Sequence, residues 1–268
     1  MERPQWLLIA GGLLLFVLLY WGLDHVPPEM RGRTAPSALG LTAASAQSLI
    51  KEALPQLDAR DEAEIHGYSK MLDAATSDSR RREVFELLSG AWYRAGFPAL
   101  AGHYAQEIAE LNPSDTTWGI AATTYTLCLR RDSLSAKQTA FCEERAVAAY
   151  EQAMSLAPSE TSHKLNLALH FADNPPADNP MRGILMLLDL NRENPDDVAV
   201  LVQLGRLALQ TGQNEKAVTR LSRATQLQPD NASAHCFLAE AAGRTGQAAL
   251  AAASEKACRA LYSKTDNL

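Results

Sequence analysis

The sequence predicts an all-α protein: a single N-terminal transmembrane helix followed by an α-solenoid of about five helix-turn-helix repeats. Three observations carry this prediction. An uncharged run of 18 residues lies near the N-terminus, from Trp6 to Leu23. A 34-residue pattern of small residues, glycine and proline recurs from Arg82 to Thr265. Alanine and leucine are plentiful while aromatics make up only 6%, a bias towards helix because both residues lose little on entering one.

The charge balance narrows the function classes. A formal net charge of -6 and a pI near 5.6 exclude the basic face that nucleic-acid binding requires. Arg80-Arg81-Arg82 and Arg130-Arg131 read as solvated helix ends. The sequence holds no HExxH, no GxSxG and no Walker loop, so no catalytic residue, cofactor, metal or small-molecule substrate is expected.

The first element is the anchor, residues 1–23. At a rise of ~1.5 Å per residue, the apolar run spans roughly 27 Å, close to the ~30 Å hydrocarbon core. Trp6 at one edge, and Tyr20 and Trp21 at the other, suit the membrane–water interface. A cleaved leader would need a small-residue cleavage site, which the sequence after Tyr20 does not offer. The flanking Lys/Arg balance nearly ties. The short N-terminus is therefore placed inside, as is usual for such leaders, and residues 24–268 outside the cytoplasm, on an inner membrane.

Residues 24–41 hold Pro27, Pro28, Pro36, Gly32 and Gly40, the composition of an extended linker. Residues 42–81 read as two helices, Gln47–Leu54 and Leu57–Leu72, broken near Pro55 and capping the solenoid. Ser77–Arg82 reads as a polar joint.

The repeats follow at 82–115, 116–160, 161–197, 198–231 and 232–265. In the fourth, Leu204-Gly205, Ala208, Gly212, Ala217, Leu221, Ala224 and Pro229 mark two closely packed helices, a glycine turn and a proline stop. The terminal unit lacks the large aliphatic and the proline, which suits a capping repeat. Extra residues fall within Asn174–Pro180 and near Arg131–Ala136. Gly-Gln recurs in register at 212–213 and 246–247. Trp92, Trp118 and Tyr125 fall at packing positions.

This pattern resembles the tetratricopeptide repeat (TPR) superfamily over residues 82–265. The layout is also similar to bacterial inner-membrane TPR proteins, including those labelled cytochrome c-type biogenesis proteins. That likeness is carried by Asn179-Pro180-Met181-Arg182-Gly183-Ile184 and by Asn194-Pro195-Asp196. The resemblance implies a non-catalytic scaffold or adaptor in the cell envelope that takes a protein or peptide in a concave groove. A chaperone-like subunit of cytochrome c maturation, or a secretion or envelope assembly factor, are the alternatives; this chain has no CxxCH of its own. Mapped onto the first helix of each repeat, the groove would be lined by Tyr93, Arg94, Ser162, Leu165, Leu169, Val202, Arg206, Gln210, Cys236, Glu240 and Arg244. Arg206 and Arg244 would act as clamps for an acidic group or a chain-terminal carboxylate.

The four cysteines, Cys128, Cys142, Cys236 and Cys258, form no CxxC. Disulfides 128–142 and 236–258 are conceivable in an oxidising compartment. Reduced, partly buried thiols are the simpler expectation, with Cys236 facing the groove and Cys258 the helix pair. His163 and His170, two helical turns apart, are too distant to share a metal. Glu143-Glu144 and Asp196-Asp197 are expected at helix starts.

Overall fold

A computed structural model describes residues 45–131 and 134–265. The expected anchor at 6–23 and the linker at 24–41 lie outside the described residues. Among the described residues there is no strand, and no helix is long and apolar enough to cross a membrane. The elements are helices joined by short turns.

Helix α1 (Ala46–Ala53) runs through a single 3-10 turn containing Pro55 into α2 (Ala59–Asp73). Leu49, Ala53 and Ile65 from these helices enter one apolar layer with Val84, Leu88, Trp92 and Leu100. The cap and the first hairpin therefore share a core. The polar stretch 77–82 corrects the sequence reading, because it is not a joint. The Ser77 hydroxyl accepts from the Arg80 N–H at 3.3 Å and caps α3 (Asp78–Arg94). Arg80–Glu83 and Arg82–Glu86 pairs then run along the exposed side of its first turns.

Five antiparallel hairpins succeed one another. They are α3 with α4 (Pro98–Leu111), α5 (Asp115–Cys128) with α6 (Ala136–Leu156), α7 (Thr161–Asp173) with α8 (Arg182–Glu193), α9 (Val198–Gln210) with α10 (Asn214–Leu227), and α11 (Ala232–Arg244) with α12 (Ala248–Thr265). Glu143 and Glu144 are a second correction. The Ser135–Gln138 capping box starts α6 at Ala136, which leaves both carboxylates in the helix interior.

The turns explain the period. In α3/α4, α9/α10 and α11/α12 the connecting Gly96, Gly212 and Gly246 have φ of 86°, 73° and 73°, a region open to glycine. The next residue closes the helix end: the Gln213 N–H donates to the Ala208 carbonyl and the Gln247 N–H to that of Ala242. Between hairpins, Asn112, Ala157, Asn194 and Gln228 leave the helical region with ψ of 76°, 73°, 91° and 86°. Each precedes a proline, whose ring disfavours helical ψ in the residue before it. Small residues set the helix spacing. A Cβ on Gly183 of α8 would lie 2.3 Å from the Ala172 backbone nitrogen of α7.

The cysteines overturn the expectation of free thiols. Cys128–Cys142 joins α5 to α6 and Cys236–Cys258 joins α11 to α12, with Cα separations of 6.3 and 5.0 Å. Among the described residues no cysteine is free. Cys236 turns towards α12, and the antiparallel pairing brings Cys258 to the same height.

Candidate functional site

The inner face of the solenoid is built from the first helices of successive hairpins, and two depressions lie along it. The first lies between α5 and α7 and has a volume of about 520 Å³. Thr116, Ile120 and Thr123 line it from α5, Ser162 and Asn166 from α7. The second lies between α9 and α11, with a volume of about 230 Å³. It gathers Arg206, Leu209, Gln210, Phe237, Glu240 and Arg244.

Four of the residues expected in a groove thus meet in the second depression: Arg206, Gln210, Glu240 and Arg244. Both arginines there are already engaged. The Arg206 guanidinium reaches Asp173 at 3.3 Å and donates to Gln203 Oε1 at 2.9 Å. Arg244 donates to the Leu209 carbonyl at 2.9 Å and to Glu240 at 2.6 Å. An incoming carboxylate would have to exchange with these partners, so the net positive charge offered is small.

The other expected residues divide. Tyr93 stands 53% exposed on α3. Its neighbour Arg94 is drawn back to Glu64 of α2 at 2.6 Å. Leu169 and Leu165 are half-buried against an apolar layer with Leu187 and Leu204. Val202 is buried beside Ala224 and Ala234. Cys236 is held in its disulfide. For Leu165 the reason is helical phase: it sits one residue before Asn166, which lines the first depression, and one residue turns a helix by about 100°. Val202 and Cys236 lie one turn before Arg206 and Glu240, where packing and the disulfide take them up.

Of the residues expected in a groove, Ser162 lines the first depression. Its floor holds an imidazole–carboxylate pair, His163 Nε2 to Asp115 Oδ2 at 3.2 Å. His163 is 8% exposed. The hydrogen bond to His163 holds the Asp115 carboxyl below its ordinary range. Glu160, the N-cap of α7, accepts from the Ser162 N–H at 3.1 Å, which lowers its pKa likewise. Both are therefore anionic at neutral pH. Counting α5 in the same phase as α7 would have placed Thr116, Ile120 and Thr123 here. His170, two turns on, is 2% exposed and faces the Thr126 hydroxyl at 3.1 Å. Burial drives its pKa down to about 4, so it is a neutral packing residue.

A stack of helical hairpins with proline-terminated second helices and a solvent-open inner face is an α-solenoid of the protein-interaction type. Residues 205–246 match the family model of the TPR repeat. No curated protein sequence matches the chain. Among solved structures, the chain is similar to MamA from Desulfovibrio magneticus RS-1, at 17% identity over 72% of this chain and 99% of that one, with a TM-score of 0.45. It is similar to a TPR repeat-containing protein of Cytophaga hutchinsonii at 13% identity, covering 82% and 79% of the two chains with a TM-score of 0.48. It is also similar to pilF of Pseudomonas aeruginosa at 14% identity, covering 68% and 77% with a TM-score of 0.47.

Proposed function

We propose that this chain is a membrane-anchored, non-catalytic scaffold that holds a partner polypeptide on the inner face of its solenoid, outside the cytoplasm. The observation that carries the binding role is the solvent-open inner face, where Ile120 is 56% exposed between the two hairpins that frame it. Thr116, Ser162 and Asn166 beside it offer hydrogen-bonding groups to an extended segment.

The two disulfides support the compartment. Such bonds persist where the surroundings are oxidising and are rare in the cytosol. The apolar run at 6–23 supports the anchor. The same bonds brace two hairpins against unfolding.

The test is copurification of the full chain from detergent-solubilised membranes, beside an Ile120→Asp variant with unchanged thermal stability. A set of partners retained by the wild type and lost by the variant supports the reading. An identical set from both contradicts it.

A further inference from the structure

The depression between α5 and α7 has a donor–acceptor inventory that selects its ligand. Asp115 and Glu160 are carboxylates, acceptors only. With Asp115 accepting, a neutral His163 ring carries its proton on Nε2 and leaves Nδ1 as a lone-pair acceptor. That Nδ1 is buried and has no hydrogen-bond partner among the described residues. Its ring edge lies against Gly119, where a Cβ would come within 3.1 Å of Cε1 and 3.4 Å of Nδ1. The glycine lets that ring edge pack closely against α5.

The hydroxyls add to the same side of the balance. Thr123 Oγ1 donates to the Gly119 carbonyl and Thr124 Oγ1 to that of Ile120, both at 2.8 Å. Each has one proton and has committed it to its own helix, so both oxygens are left as acceptors on residues that line the depression. No lysine or arginine lines the depression. A buried unpaired acceptor is costly to leave so, and a charged donor compensates it best.

We infer that this depression is a subsite for the ammonium or guanidinium group of a lysine or arginine in a basic, extended segment of the partner polypeptide. The inference rests on the scaffold reading and adds the partner's chemistry to it. The net charge of -6 favours the same partner at long range.

The test uses fluorescence anisotropy of the full chain in detergent with labelled (Lys-Ala)5 and (Glu-Ala)5 decapeptides. The lysine peptide should bind and the glutamate peptide should not. The isosteric pair Asp115→Asn with Glu160→Gln should weaken lysine-peptide binding about tenfold. The pair Glu83→Gln with Glu86→Gln on α3 should leave it within twofold. Asn166→Lys, which puts a cation in the depression with both carboxylates intact, should abolish it and serves if the first pair fails to fold. Equal weakening by both glutamine-bearing pairs would mean diffuse attraction and would overturn the subsite. So would binding of spermidine, with the same dependence on Asp115 and Glu160, in the absence of peptide binding. Loss of copurifying partners on Ile120→Asp but not on Asp115→Asn with Glu160→Gln would leave the scaffold and remove the subsite. Insensitivity to Ile120→Asp would remove both.

Discussion

Cys128, the last residue of α5, is bonded through sulfur to Cys142 of α6, and both side chains are fully buried, with 0% exposure. The bond lies beside the turn of residues 129–135 that separates the paired helices. The second bond, Cys236–Cys258, lies in the last hairpin and is partly exposed.

This difference in burial gives a chemical prediction. A mild reductant added to the folded protein should release two alkylatable thiols, at Cys236 and Cys258. Cys128 and Cys142 should react only after denaturation, because thiol exchange needs access. Mass spectrometry after iodoacetamide reads the outcome. Four thiols labelled in the native state would contradict the packing of α5 on α6. Replacing Cys236 and Cys258 by Ser should cost ~2–4 kcal/mol in unfolding free energy.

Gly183 and Gly67 should respond to alanine in opposite directions. At Gly183 the added Cβ would meet the Ala172 nitrogen at 2.3 Å and the Ala168 carbonyl oxygen at 2.4 Å. Both are α7 backbone and cannot move aside, so Gly183→Ala should destabilise by ~2 kcal/mol or more. At Gly67, within exposed α2, nothing lies within 4 Å. Gly67→Ala should stabilise by about 0.5–1 kcal/mol. Urea unfolding of the two variants tests the pair; a neutral Gly183→Ala would sink the close approach of α7 and α8.

His170 should make the domain acid-sensitive. Burial lowers its pKa from 6.5 to about 4 in the folded state, with Asp173 opposing weakly. Above pH 6.5 both states hold a neutral ring and nothing is lost. Below it the unfolded chain takes up a proton that the folded one refuses, so stability falls as the pH goes from 6.5 to 4. The loss is roughly 3 kcal/mol. His170→Gln should flatten the Tm–pH curve in that window, whereas an unchanged slope would rule His170 out as its source.

Much of the fold was legible because the repeat is punctuated. Pro113, Pro158, Pro195 and Pro229 each force the residue before them out of the helix, and Gly212 and Gly246 accept the left-handed turn. The polarity of Ser77–Arg82 points to a break, but a serine before an acidic residue starts a helix there. The site was harder. The repeat points to Ser162, Arg206, Gln210, Glu240 and Arg244, whereas Leu165 sits one residue off the open face and Val202 and Cys236 are taken up by packing and a disulfide. The Asp115–His163 pair joins residues 48 apart, and the sulfur pairs depend on helix rotation. No local pattern reports either.

The most direct test of the inner-face account is site-specific photo-crosslinking in intact membranes. A photoreactive residue is placed at Ile120 or Gln210 on the inner helices, and at Arg192 or Gln226 on the outer ones. Adducts with the same partner polypeptides from Ile120 and Gln210, and none from Arg192 or Gln226, are the predicted result. Adducts confined to the outer helices would contradict the account.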